Sequence, residues 1–398
     1  MISVAEARAR ILAALRPTGP ETVSLAQAWG RVLAAPVHAR RDQPQADVSA
    51  MDGYALRAGD PGPWSVIGSA PAGHPFTGTV GPGDAVRLFT GSLVPEGADA
   101  ILLQEDADRE GALLTARARP APGRHIRPGG GDFRVGDRLL APGTRLGARA
   151  IGLAAAANHP WLTVHRRPRI AILATGDEIA MPGDPVGPGG VVSSNAHALA
   201  AQVRAAGADP VILPIAADTL DAVAAVADQL GGIDLLATTG GASVGEHDLV
   251  QRGLGERGFV LDFWQIAMRP GKPLIFGHLA GTPVLGLPGN PVSAFVCGLL
   301  FLAPAIARLS GLADCDPPTI RATLAAAVPQ NDHRADHLRA TLHAGPAGEL
   351  LVTPHPKQDS SHLRLLEQSH ALILRPPHAT AAQPGEAVDI ILLNAGLL

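Results

Sequence analysis

Apolar and polar positions alternate in different rhythms along the 398 residues. The opening MISVAEARARILAALRP puts Val4, Ile11, Leu12 and Leu15 on one helical face, with Glu6, Arg8 and Arg10 elsewhere, and Pro17 ends it. This zone, about 1–43, is helical in pattern and rich in Ala and Arg. From about 44 to 136 the apolar runs are short and alternating (WSVIGSA, DAVRLFTGS, AILLQED, GALLTARAR), with Gly, Pro and Asp between them. That pattern predicts a small β-domain. Helical character returns in ARAIGLAAAA (148–157), before a junction at RRPR (166–169).

From Ile170 to about Leu312 the rhythm is strand, loop, helix. RIAILAT leads to a helix from Asn195, PVILPI to TLDAVAAVADQL, and IDLLATT to a glycine-rich loop and a helix; PLIFGHL and TPVLGLP lead to a helix from Pro291. Buried strands alternating with helices predict a mostly parallel sheet covered on both faces, a three-layer α/β/α domain. The tail, 317–398, reverts to short strands (TIRATLAAA, HLRATLHA, ELLVTP, ALILRP, AVDIILL) and predicts a small β-barrel or sandwich. The expected class is multidomain α/β plus β.

In an open parallel sheet, ligands sit beyond the C-terminal ends of the strands. The loops expected there are GDE (176–178), AADT (216–219), GGASVGEHD (240–248) and PGNPVS (288–293). RPGKP (269–273) precedes its strand, which leaves its end of the sheet open. Helix N-termini after glycine turns favour phosphate or another oxyanion, and Arg269 and Lys272 add cationic donors. Glu178, Asp218 and Asp248 supply hard oxygen ligands suited to a Mg²⁺-type ion bridging phosphate oxygens. Structural roles compete at each position. Asp248 with Gln251 reads as a capping box, Asp218 as a helix cap, and Asn290-Pro291 as an N-cap with Pro at the first helical position.

The β-domain holds DVSAMDGYA (47–55), with Asp47, Asp52 and the single tyrosine, Tyr54; Thr90 follows at a strand end, and HIRPGGGD (125–132) pairs Arg127 with Asp132. On composition alone, turn chemistry is the favoured explanation of these residues. His333 and His337, spaced i, i+4 in HRADH, lack a third ligand and lie between predicted strands, so they read as surface residues rather than a zinc site.

Composition narrows the partners. Hydrophobic content of 46% and charged content of 17% describe a globular protein, and a net charge of -4 gives no basic footprint for nucleic acid. Lysine occurs at 272 and 357 alone, which singles out Lys272 in its glycine turn. The two cysteines, Cys297 and Cys315, form no framework and fit a reducing compartment. The amphipathic start is not a signal peptide, and FVCGLLFLAPAIA (295–307) is too short to span a bilayer. The expectation is a cytoplasmic protein that engages neither membrane nor nucleic acid.

Taken together, ATGDE (174–178), SSN (193–195), TTGGASVGEHD (238–248), MRPGKP (268–273) and GLPGNPVS (286–293) resemble molybdopterin molybdenumtransferase, the MoeA family that includes the gephyrin E domain. SAMDGYA (49–55), TGSLVPEGADA (90–100) and the Arg127-to-Asp132 segment match the same family in order. The resemblance implies a discontinuous first domain (1–43 with 137–167), an inserted β-domain (44–136), a MogA-like molybdopterin-binding α/β domain (168–316) and a C-terminal β-barrel (317–398). The first helix is free to pack on the α/β domain. It further implies an elongated homodimer whose site lies between the α/β domain of one subunit and the β-domain of the other. Other molybdenum cofactor biosynthesis proteins and molybdoenzyme chaperones are the further partners it suggests.

The implied reaction inserts molybdate into adenylylated molybdopterin and releases AMP, with Mg²⁺. On this reading Glu178, Asp218 and Asp248 position the metal and molybdate, and Arg269 and Lys272 neutralise anionic charge. Thr175, Gly176, Asp177, Ser194, Asn195, Gly240, Gly241, Ser243 and the turn Pro288, Gly289, Asn290, Pro291 hold the pterin and its phosphate. Asp52, Thr90, Arg127 and Asp132 complete the site across the dimer. Two departures stand out: Arg269 replaces a usual Lys, and Ser193 replaces the Asp of a D-[ST]-N triplet. Competing readings are a scaffold on the same fold and the adenylyltransferase that attaches AMP, whose members resemble the α/β domain alone.

Overall fold

Strand Arg169–Ala174 is buried from Ile170 through Ala174, as the middle of a sheet covered on both faces requires. The computed structural model describes residues 1–240, 254–255 and 257–393. In the central sheet the order is Asp209–Ile212, Arg169–Ala174, Leu235–Thr239, Thr282–Leu287, Ile275–Leu279, Phe259–Trp264. The first four strands are parallel. Ile275–Leu279 runs against both of its neighbours, so it alone is reversed.

Two apolar clusters make this sheet the middle of three layers. On one face Ile170, Leu235, Phe276 and Leu285 meet Leu199 and Val203 of helix Asn195–Ala205, together with Val292, Val296, Phe301 and Ile306. On the other, Ala171, Leu173, Leu236 and Val284 meet Val223, Val226, Leu230 and Leu254. The segment expected as one helix from Thr219 is a short helix, Leu220–Ala224, tightening into a 3₁₀ turn, Ala225–Gln229. The apolar stretch expected to be too short for a bilayer belongs to a 19-residue helix, Pro291–Leu309, long and apolar enough to cross one by length and composition. It is 72% buried inside the protein, which is what a core helix shows. A π turn at Gly298–Leu302 interrupts it.

The first helix, Val4–Ala14, sends Ala7, Ile11 and Leu15 into the central core rather than onto the segment that follows it. The segments before and after the β-domain pair with each other: Pro20–Ser24 with Trp161–His165, and Val37–His38 with Arg138–Leu140. Val23, Leu33, Val37, Leu146, Leu162 and Val164 share their core. Between them lies a six-stranded sheet in the order Ala100–Leu103, Gly53–Leu56, Asp84–Leu88, Trp64–Ala70, Leu113–Ala116, Ala107–Glu110. Near the C-terminus Ala335–Ala344, Leu350–Pro354, Ile320–Leu324, Ala387–Leu392 and Ala371–Arg375 close on themselves, because the last pairs again with the first. A closed barrel leaves no free edge. His337, expected at the surface, is buried in that barrel at 6% exposure, and His333 is exposed.

Because Ile11 is fully enclosed, Ile11→Ala should cost about 2–5 kcal/mol, from lost transfer and the cavity left behind. Urea denaturation followed by tryptophan fluorescence measures it. A loss below 0.5 kcal/mol would mean the helix is not anchored in the central core.

Candidate active site

Strand order places the switch point of the sheet between Arg169–Ala174 and Leu235–Thr239. The first connects outward to Asp209–Ile212, the second to the other side. In open α/β sheets the ligand crevice forms at that point. Here a cavity of about 710 Å³ opens there, lined by Thr175, Glu178, Ile179, Val191–Asn195, Thr239, Gly240, Pro273, Pro288–Pro291, Ser293 and Ser361.

Asn195 fastens this cavity. Its Nδ2 donates to Thr239 Oγ1 at 2.8 Å and to the Gly289 carbonyl at 2.7 Å, so one side chain ties three loops together. Thr239 Oγ1 in turn donates to the Pro288 carbonyl at 3.3 Å. Gly240, at φ +94°, passes so close to strand Arg169–Ala174 that a Cβ would lie 2.7 Å from the Thr175 carbonyl oxygen. Gly176 has the same kind of constraint: its φ is +143°, and a Cβ would meet the Glu178 carboxylate at 2.6 Å. Glycine at 176 therefore lets Glu178 fold back toward the cavity. Thr175 Oγ1 is buried in the cavity wall with no hydrogen-bond partner among the described residues, a donor left for a ligand or water.

The reversed strand decides where RPGKP lies. Because Ile275 pairs with Gly286, at the C-terminal end of Thr282–Leu287, the loop entering Ile275–Leu279 lies at the same edge as the other polar loops. Pro273 lines the cavity, and Lys272 beside it is exposed. Arg269 behaves differently. Its guanidinium donates through Nε and Nη2 to Asp336 of the barrel, with Asp332 3.7 Å from Nη1. The Asp336 carboxylate raises the arginine's already high pKa. Met268–Arg269 also pairs with Ala335–Asp336, so Arg269 joins the central sheet to the barrel.

Asn290 takes the N-cap position with Pro291 opening the helix, as the sequence predicts, while the Asp218 cap needs correction. Asn290 makes no capping bond to its helix; its Nδ2 donates to Ser360 Oγ at 3.0 Å. Thr219, not Asp218, caps helix Leu220–Ala224, accepting from the Ala222 amide at 3.2 Å. Asp177 is occupied by the Asp218 amide, which donates to its Oδ1 at 2.9 Å. Asp218 is exposed and does not line the cavity. Gly241, Ser243 and Asp248 lie outside the described residues. Ser193, where the resemblance leads one to expect Asp, is buried in the cavity wall. Among the described residues no cluster of three His, Cys, Asp or Glu side chains could hold a metal. Glu178 is, among the described residues, the one acidic side chain on the cavity wall. These residues by themselves do not make a divalent-ion site.

The barrel contributes groups that sequence reasoning missed. Loop 355–361 reaches the start of helix Pro291–Cys297, where the Ser360 carbonyl accepts from the Val292 amide at 3.1 Å, and Ser361 enters the cavity wall. Behind this loop Arg339 is 1% exposed, held by Gln358 Oε1 at 3.3 Å from Nε, while its Nη1 has no partner among the described residues. Burial lowers the pKa of this guanidinium, and the Asp359 charge opposes the shift.

Asp52, Thr90 and Arg127 gather at one end of the β-domain and Asp132 in the turn beside it; none of them lines the cavity. Asp52 Oδ1 accepts from the Thr90 amide at 2.7 Å and the Thr90 hydroxyl at 2.9 Å. Those two donors, with the Arg87 charge, hold its carboxyl below the usual range. Arg127 pairs with Val48 in the short ladder under this turn. The Asp132 amide donates to the Gln43 carbonyl at 2.9 Å, and Asp47 takes the Gly129 amide at 2.8 Å.

A crevice at an α/β switch point, with Ser361 of a closed barrel in its wall, on a chain that also carries an inserted β-domain, defines a multidomain α/β ligand-binding protein. Residues 2–158 match the MoeA N-terminal region (domain I and II), 171–308 a probable molybdopterin binding domain, and 321–393 the MoeA C-terminal region (domain IV). The chain is 34% identical over 94% of its length to molybdopterin molybdenumtransferase of Nostoc sp., covering 88% of that protein. It is 35% identical over 98% to molybdopterin molybdenumtransferase 2 of Mycobacterium tuberculosis, covering 99% of it. The crystal structure of the molybdopterin biosynthesis MoeA protein from Pyrococcus horikoshii OT3 superposes with a TM-score of 0.85 at 27% identity, covering 98% of this chain and 100% of that one. This chain belongs to the molybdopterin molybdenumtransferase family, the transferases of molybdenum cofactor biosynthesis.

The Arg269 junction carries a titratable marker, because His337 Nδ1 lies 3.4 Å from the Arg269 carbonyl. Burial pushes His337 down from 6.5 to about 4, so the native side chain stays neutral at pH values where the unfolded chain takes up a proton. Its contribution to stability is full above about pH 6.5 and is lost as pH falls toward 4, by up to about 3 kcal/mol. Chemical denaturation at stepped pH should show that slope, and His337→Gln should flatten it. A mutant slope equal to that of the wild type would contradict the assignment.

Proposed function

We propose that this transferase inserts molybdate into adenylylated molybdopterin and releases AMP. The observation that carries the proposal is the Asn195-tied cavity at the switch point, with Gly240 and Gly289 in its wall and the exposed Lys272 beside it. Phosphoryl chemistry needs positioning and charge neutralisation more than covalent help from the protein. Lys272 neutralises the phosphate or molybdate charge. The Gly240 edge and the Pro288–Pro291 turn hold the pterin end with its phosphate. The orphaned Thr175 hydroxyl donates to the ligand, and Ser194 with Asn195 fixes the wall it rests on.

An oxygen nucleophile bonds to the molybdopterin phosphorus as the bridging P–O bond breaks, and AMP leaves with the bridging oxygen and its electron pair. Each Mo–S bond formed to the dithiol replaces a molybdate Mo–O bond, whose oxygen leaves as hydroxide carrying the thiol proton. The Mg²⁺ implied for this reaction would need Asp248 beside Glu178, and no step here runs through it. The Arg269 guanidinium, engaged with Asp336, serves this site by holding the barrel and its Ser361 loop in place. Asp52, Thr90, Arg127 and Asp132 complete the site from a second copy, so the working unit is a homodimer.

Purified protein given adenylylated molybdopterin, molybdate and Mg²⁺ should release AMP. Lys272→Ala and Glu178→Ala should each lower the rate by about 100-fold, the scale for losing one preorganised electrostatic contact. Wild-type protein that binds the substrate without releasing AMP would make it a binding protein. Adenylylation of molybdopterin from ATP would make it the preceding enzyme.

A further inference from the structure

The β-domain end that carries Asp52 and Thr90 is built around an arginine that the reaction scheme leaves unused. Strand Gly53–Leu56 runs antiparallel to Asp84–Leu88, with Tyr54 directly opposite Arg87. Residues two apart on a strand share a face, so Phe89 stands on the same side. The Arg87 guanidinium carbon lies 5.0 Å from the Tyr54 ring centroid and 4.9 Å from that of Phe89. Both are within cation–π range. Its nitrogens are also directed: Nη1 donates to the Gly53 carbonyl at 3.1 Å and Nη2 to Gln104 Oε1 at 2.6 Å. The Gln104 amide then donates to the Asp52 carbonyl at 3.2 Å.

Every one of these contacts bears on a neighbour of the pair. Gly53 follows Asp52, Phe89 precedes Thr90, and Gln104 holds the Asp52 backbone. Asp52 and Thr90 sit at the ends of their strands, and Thr90 is exposed; the turn after Thr90 is fastened separately, with the Gly91 amide donating to the Ser49 carbonyl at 2.9 Å. We propose that Arg87 is a positioning residue that staples the two strand ends so that the Thr90 amide and hydroxyl both meet one Asp52 oxygen. The proposal rests on the reading of Asp52 and Thr90 as site residues. An ammonium cannot replace the guanidinium, because it lacks the planar fork that bonds along its edge while stacking through its face.

The test combines steady-state AMP release with NMR. Tyr54 is the single tyrosine, so ring-labelled tyrosine gives one ring spectrum; the Thr90 amide is read in an ¹⁵N experiment. Arg87→Met should move the Tyr54 ring signals and shift the Thr90 amide upfield as its bond to Asp52 lengthens. It should lower kcat about 10-fold, with KM within twofold. Arg87→Lys should move the same signals by less and recover part of kcat; it carries the test if Arg87→Met does not fold. Arg109→Lys is the control, since Arg109 bonds only its own turn through the Gly111 carbonyl at 2.8 Å; it should leave both spectra and kinetics unchanged. An unmoved Thr90 amide in Arg87→Met overturns the proposal, as does full kcat despite a moved amide. If the wild type releases no AMP, the functional reading falls, and the Thr90 and Tyr54 signals decide the staple alone.

Discussion

Two hydrogen bonds from one side-chain amide hold the central site together. Asn195 sits at the start of a helix and reaches both the end of strand Leu235–Thr239 and the turn after Thr282–Leu287. Without it, the ends of these strands would keep the Thr239 hydroxyl bond to the Pro288 carbonyl at 3.3 Å, but the start of the helix would lose its tie to both. Asn is suited to this because one NH₂ group donates twice and the residue tolerates a helix start. The cavity has its shape because these loops are tied at fixed separations, and the ligand groups described above depend on that shape.

A second constraint is the direction of a single strand. Reversing Ile275–Leu279 brings the loop before it, rather than the loop after it, to the ligand edge. One consequence is that Lys272 can serve a glycine-rich edge from a separate segment, so no lysine is needed inside the glycine loop itself. The other is that Arg269, three residues earlier, is placed to meet Asp336. A lysine at 269 would offer one mobile ammonium; the arginine offers a fork already committed to the barrel.

Periodicity made the layers legible. The buried run of Arg169–Ala174 and the alternating tail strands carry their environment in their own sequence, and the glycine-rich loops follow from where such strands must end. Strand direction was not legible, because pairing of Ile275 with Gly286 is a tertiary choice. Asn290 holds the N-cap position, but its side chain makes no cap bond for a similar reason: Ser360, seventy positions away, competes for it. His337 read as a surface group because the motif around it is polar, yet the closed barrel buries it. Ser361 carries no local signal at all; only docking of the barrel loop brings it to the cavity wall. Among the site residues, Glu178, Asn195, Gly240 and the Pro288–Pro291 turn gather at one cavity, whereas Asp52 and Thr90 form a separate pair.

On the proposed function, these two half-sites of one chain work together across a pair of chains. Among the described residues no hydrogen bond or ion pair joins the β-domain to the central sheet. Mixing two inactive variants, Lys272→Ala and Asp52→Ala, under conditions of subunit exchange measures this directly. In a mixed dimer one composite site carries both substitutions and the other carries neither. Random exchange should therefore restore roughly a quarter of wild-type AMP release, since half the dimers are mixed and each holds one intact site. If the mixture stays as inactive as its components while exchange is complete, each site is built from one chain and the account is wrong.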